Sequence, residues 1–237
     1  MKFIDGKEHF RGIKAILLDV DDTILDFGKC ASASMRAAAM TAGITFPDGI
    51  ENIFHRINNP LWKKVEKGEL TVAGLYEVRW NLIFADVGID YDGVAFETLF
   101  RRELSESTEP VSGAGDLLKY LAGRGYILFS ASNALQHQQE KRLAKAGFRD
   151  YFSGIFTSES LGAQKPSREF FERAVSLCGA GDRDCFLMIG DSFEADISGA
   201  AAFGMRTIWF DRKGAAREHP LTATRVVTRL EDVKDLL

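Results

Sequence analysis

The sequence predicts an α/β fold: a parallel sheet with helices on both faces, interrupted by one inserted block of helices. Short apolar runs of buried-strand length recur, each stopping at a polar residue, with helix-length segments between them. One long stretch abandons that alternation and reads as helices only.

The first run, Ile13 to Leu18, stops at Asp19, and the second, Tyr126 to Phe129, stops at Ser130-Ala131-Ser132-Asn133. A third, Phe186 to Ile189, stops at Gly190-Asp191, and a fourth, Thr207 to Phe210, at Asp211. A fifth lies around Gly154 to Thr157, and the tail from Thr224 to Leu237 reads as a short strand and a terminal helix. Helices are expected over Gly115 to Arg124, Gln136 to Ala146 and Pro166 to Cys178, with Pro166 at a first helical position where its missing N–H costs nothing. Strands alternating with helices make a Rossmann-like parallel sheet, and such sheets bind ligands at the carboxyl ends of their strands. Asp19, Ser132 and Asp191 all fall at such ends.

The interruption contains four helical segments, Ala31 to Ala42, Ile50 to Glu66, Val72 to Asp86 and Gly93 to Ser105, punctuated by Gly43, Pro47, Gly68 and Gly88. The 237 residues therefore divide into a core, 1–28 with 108–237, and a helical-bundle cap domain, 29–107. Its hinges are expected at Asp26 to Lys29 and Ser107 to Gly113.

Composition narrows the partners. Hydrophobic residues are 46%, charged residues 27% and the formal net charge is −4, a globular mix with no basic footprint for a nucleic-acid polymer or an anionic membrane. Cys30, Cys178 and Cys185 have no metal-ligand spacing and read as small apolar fillers in a reducing compartment. The start Met1 to Lys7 carries charges where a signal peptide needs an apolar run, so a cytoplasmic protein is expected.

Four motifs carry chemistry. In Asp19-Val20-Asp21-Asp22-Thr23, an extended backbone puts Asp19 and Asp21 on one side, where two carboxylates repel unless a cation or proton separates them. A hard divalent ion with oxygen ligands answers that need, and Mg²⁺ suits a phosphate site. In Gly190-Asp191-Ser192-Phe193-Glu194-Ala195-Asp196, a glycine at a strand tip lets the chain turn while presenting Asp191, with Asp196 a helical turn on. Helix capping by Asp191 or Ser192 is the plainer reading of the same residues. Lys165, before Pro166, is placed to offset anionic charge, and the Ser132 hydroxyl with the N–H groups at Asn133 to grip phosphate oxygens.

In this order the four resemble the haloacid dehalogenase superfamily, with its Asp-x-Asp-x-Thr, Ser/Thr, Lys and Gly-Asp-x(4)-Asp elements, and the likeness extends to an inserted helical cap. The resemblance implies an Mg²⁺-dependent phosphatase in which Asp19 is the nucleophile and forms an aspartyl-phosphate. Asp21 would be the acid and base, oriented by Thr23, and Lys165 with Ser132 and Asn133 would hold the phosphate. Asp19, the Asp21 backbone carbonyl and Asp191 would bind the metal, with Asp196 assisting through Lys165. Dehalogenases of the superfamily lack the second acid, so Asp21 points to a phosphatase.

Within the cap, Asn58-Asn59-Pro60-Leu61-Trp62, Arg79-Trp80 and the core segment Gly147 to Phe152 resemble the pyrimidine 5′-nucleotidases, which act on nucleoside monophosphates. Ala134 departs from that subgroup's glycine. Sugar-phosphate and sialic-acid 9-phosphate phosphatases have similar caps, and a phosphomutase or a receiver-like phospho-aspartate binding module uses a related site. Asn58, Trp62, Arg79 and Trp80 read either as base-reading groups or as cap packing.

Overall fold

The computed structural model describes residues 9–212, 214–215 and 225–237. The charged start Met1 to Lys7 and Thr224, the first residue of the tail, lie outside the described residues. The chain forms two compact units, one reaching to Phe27 and resuming over Thr108–Leu237, the other Gly28–Ser107.

The first unit is built on six parallel strands, β1 Ala15–Leu18, β2 Ile127–Ser132, β3 Phe152–Thr157, β4 Phe186–Gly190, β5 Arg206–Phe210 and β6 Arg225–Val227. Their spatial order is β3-β2-β1-β4-β5-β6. Strand order reverses at β1, and the carboxyl ends of β1, β2 and β4 meet at this switch point. Alternation along β1 splits the core. Ile16 and Leu18 join one apolar cluster with Leu128, Leu187 and Ile208, whereas Ala15 and Leu17 join the other with Phe170, Phe171 and Met188.

The second unit is helical: α1 Phe27–Ala42 enters it, followed by α2 Ile50–Glu66, α3 Val72–Val87 and α4 Gly93–Glu106. Thr71 and Asp92 cap α3 and α4 by accepting backbone N–H bonds, as short oxygen-bearing side chains do. In the interior Trp80 is packed among Phe46, Phe54, Phe84, Phe96 and Phe100. Arg79 lies over the rings of Phe54, Tyr76 and Phe100 and donates twice to Glu97, at 3.0 and 2.6 Å, and once to Asn58 at 2.9 Å. Trp62 is half-buried against Leu61, Val65 and Leu75. Asn58, Arg79 and Trp80 are therefore packing and hydrogen-bonding groups of this unit's own interior, which decides between the two readings for them.

The remaining helices belong to the first unit: α5 Ala114–Gly123, α6 Gln136–Lys145, α7 Ser158–Leu161, α8 Arg168–Cys178, α9 Gly199–Phe203 and α10 Val233–Leu236. Helix α8 starts at Arg168, not Pro166, because Ser167 caps it by accepting the Phe170 N–H. β2 runs on through Ser132, with Ser130 bonding Phe156 of β3. Burial pushes the Cys178 thiol up to about 12, in keeping with an apolar filler. Among the described residues no helix is long and apolar enough to cross a membrane.

Candidate active site

Asp19 follows β1 directly and extends its ladder, its N–H bonding Ile189 of β4 at 2.9 Å. The carboxylate is buried and each oxygen has a donor, Lys165 Nζ at 2.8 Å on Oδ1 and Thr23 Oγ1 at 2.9 Å on Oδ2. Thr23 thus orients Asp19, whereas the sequence reading assigned it to Asp21. The reason is local: Asp22 takes a left-handed φ of 63° and its N–H bonds Leu25. The turn folds Thr23 back over Asp19, breaking the extended alternation that would keep residues 19, 21 and 23 in line.

Lys165 is buried and bonds Asp19, the Ala131 carbonyl and, at 2.6 Å, Asp196. An ammonium has three hydrogens, and all are taken. Lys165 thus grips two acids, Asp19 and Asp196, directly. Asn133 places this lysine. Its side-chain amide donates to the Lys165 carbonyl and accepts from the Lys165 N–H, both at 2.8 Å. The Asn133 side chain is thus engaged with backbone, leaving the Ser132 hydroxyl as the side-chain donor of this motif.

Beyond β4 the backbone winds into a π-helix, Phe193–Ser198, in which Ile197 N–H reaches the Ser192 carbonyl. Asp196 Oδ2 accepts the Ser192 N–H at 3.0 Å while Oδ1 faces Lys165, so this buried acid is fixed from both sides. Trp209 of β5 donates its indole N–H to the Asp191 carbonyl at 2.9 Å. A Cβ on Gly190 would lie 2.2 Å from Asp196 Oδ2, which is why glycine precedes Asp191. Gly190→Ala is expected to lower stability by about 1–3 kcal/mol through overpacking against a carboxylate that cannot swing away. A urea midpoint equal to the parent's would show that Asp196 yields.

The carboxylates of Asp19, Asp191 and Asp196 bring oxygens within 4.8 Å of one another. Burial pushes the Asp19 carboxyl up to about 7; Lys165 pulls it back, while Asp196 and Asp21 add to the rise. For Lys165, burial opposes the charge, yet Asp19 and Asp196 hold the ammonium above its ordinary range. One ammonium thus serves a cluster of acids that carries more negative charge than it can offset. A donor set of carboxylate oxygens alone, short of positive charge, fits a hard divalent cation. Asp196, expected only to assist, is a member of this trio.

The Asp21 carboxylate is not. Arg142 NH1 holds its Oδ1 at 2.6 Å and Gln139 Nε2 its Oδ2 at 2.7 Å; the same Gln139 nitrogen reaches Ser132 Oγ at 2.8 Å. Its assignment as a metal ligand consequently rests on the backbone carbonyl alone. Gln139 and Arg142 are the residues sequence reasoning missed. Their signal was the α6 sequence Gln136-His137-Gln138-Gln139-Glu140-Lys141-Arg142-Leu143-Ala144-Lys145, nearly devoid of an apolar stripe although it borders a buried strand.

The profile of haloacid dehalogenase-like hydrolases matches residues 13–204. A protein named as a HAD-hydrolase, YfnB of Bacillus subtilis, is 30% identical over 94% of this chain and 95% of its own length. Its magnesium-bound crystal structure superposes with a TM-score of 0.86, covering 93% of this chain and 96% of that one. Two relatives are named pyrimidine 5′-nucleotidases. PynA of Streptococcus pneumoniae is 30% identical, covering 94% of each chain, and YjjG of Escherichia coli is 28% identical, covering 94% of this chain and 96% of its own. Because the profile spans β1 through α9, and with them every acid, hydroxyl and cation described above, the chain belongs to the haloacid dehalogenase-like hydrolase family.

Proposed function

We propose that the protein is a Mg²⁺-dependent phosphomonoester hydrolase that works through an aspartyl-phosphate on Asp19 and takes pyrimidine nucleoside 5′-monophosphates as substrates. The observation that carries this reading is the buried Asp19 carboxylate, oriented by Thr23 and Lys165 beside Asp191 and Asp196, with a second acid at Asp21. The two relatives named pyrimidine 5′-nucleotidases support the substrate class.

Asp19, Asp191, Asp196 and the Asp21 backbone carbonyl would hold the metal, which when bound neutralises phosphate oxygens as charge builds on them. Asp19 attacks phosphorus, forming a carboxylate–phosphorus bond as the ester P–O bond breaks. Asp21 gives a proton to the leaving alkoxide, then takes one from the water that cleaves the aspartyl-phosphate and regenerates Asp19. Ser132 Oγ, at the end of β2, donates to a phosphate oxygen. Lys165 favours the ionised form of Asp19 against its burial and aims it, which answers a requirement of in-line transfer.

A panel of UMP, dUMP, dTMP and sugar phosphates, assayed with Mg²⁺ and with EDTA, tests the proposal. Turnover of the nucleotides with Mg²⁺ and at least a ~100-fold loss in EDTA is expected if the metal supplies about 3 kcal/mol of transition-state stabilisation. Hydrolysis confined to sugar phosphates would remove the nucleotide assignment, and undiminished turnover in EDTA would remove the metal.

A further inference from the structure

Helix α6 buries three polar side chains, Gln138, Gln139 and Arg142, none of them used by the steps above, and the last two meet Asp21. Two ion pairs of this protein show what is unusual about them. Arg79 and Glu97 are buried alike, each side chain 3% exposed, as in a pair that belongs to a core. Arg142 is 1% exposed while its partner Asp21 is 30% exposed. Burying a guanidinium is costly, and here the burial serves a carboxylate that stays open to the site.

The bonds fix more than contact. With Arg142 on Oδ1 and Gln139 on Oδ2, each Asp21 oxygen has its own donor, and the plane of the carboxylate is set. A carboxylate only accepts, so the amide NH₂ of Gln139 must face Asp21, and its carbonyl is left to accept from Arg142 NH1 at 3.2 Å. That NH₂ also donates to Ser132 Oγ. The serine oxygen therefore accepts from Gln139, and its own hydrogen remains for a phosphate oxygen.

We propose that Gln139 and Arg142 are positioning residues: they lock Asp21 in one attitude towards the leaving group, so that the proton it gives up is carried on a lone pair that neither donor occupies, and Gln139 ties that acid to the hydroxyl that holds the phosphate. This rests on the phosphomonoesterase reading above. An acid held in register matters most where the leaving group is a poor one. An alkoxide must be protonated as it departs, whereas p-nitrophenolate leaves without help.

The test compares kcat/KM for p-nitrophenyl phosphate and β-glycerol phosphate, with Mg²⁺, in the parent, Gln139→Met and Arg142→Met proteins. The ratio of aryl to alkyl ester cancels any general damage to folding or phosphate binding. It is expected to rise about tenfold or more in both variants, a part of the ~10²–10⁴ that a placed general acid contributes. Should Arg142→Met not fold, Arg142→Lys keeps the buried charge without the planar fork and is expected to raise the ratio in the same direction. A parent that hydrolyses both esters beside variants with an unchanged ratio would overturn the clamp alone. A parent inert on both esters and on the nucleotides named above, whatever the variants do, overturns the phosphatase reading and the clamp with it; one active on the nucleotides alone is compared with its variants on UMP, where an unchanged kcat/KM overturns the clamp.

Discussion

Asp19→Asn is expected to abolish turnover of every phosphomonoester, with a loss of at least about 10⁴-fold, or roughly 5.5 kcal/mol of barrier. The substitution keeps the size of the side chain and can keep the Thr23 bond, but it replaces the attacking carboxylate by an amide that is no nucleophile. It also faces the Lys165 ammonium with a neutral group, although Asp196 still satisfies that charge at 2.6 Å. The fold should therefore survive, which circular dichroism and thermal unfolding would verify on the sample used for kinetics. Residual activity within tenfold of the parent would mean that phosphorus is attacked by something else. Trapping with radiolabelled substrate gives an independent readout, because the parent should carry acid-stable label and the variant none.

The second large effect concerns stability. Arg79→Met removes the cation that gives Glu97 two bonds, at 3.0 and 2.6 Å, and is expected to destabilise the helical unit by about 3–5 kcal/mol. The penalty comes from the acid left behind. Burial raises the Glu97 pKa above its ordinary 4.5, and Arg79 is the main influence pulling it down. Without Arg79 the rise grows, so the folded variant favours the protonated acid. A carboxyl whose folded pKa is raised is least harmful below its unfolded value and progressively more so as pH climbs through the folded one. The loss should therefore be smallest near pH 4 and largest at neutral pH, as urea unfolding across that range would show. Adding Glu97→Leu should restore much of the stability, since two apolar side chains of similar volume can replace a buried pair. A loss below about 1 kcal/mol at pH 7 would contradict the burial described for this pair.

The core was legible because its strands are buried on both faces. Ile13 to Leu18 and Phe186 to Ile189 are nearly unbroken apolar runs, and a polar residue at the end of such a run has few places to go except the sheet's carboxyl edge. Asp19, Ser132 and Asp191 could be found for that reason. Thr23 was misassigned because one left-handed residue, Asp22, reverses the backbone, and nothing in an Asp-Thr pair announces a positive φ. Gln139 and Arg142 were passed over because a polar face on a helix ordinarily means solvent. Only the folded chain shows that α6 turns that face inward. Lys165 stood out through its proline neighbour, but its three acceptors come from Asp19, Ala131 and Asp196, which are far apart in sequence.

The pairing of the Asn133 amide with the Lys165 backbone does what a neighbouring strand would do, supplying one donor and one acceptor to a peptide that has no sheet partner there. It splints the loop after β2 to the loop before α8. One neutral side chain thereby sets the spacing between the serine at the end of one strand and the lysine backbone of a different loop, so a change at position 133 reaches both.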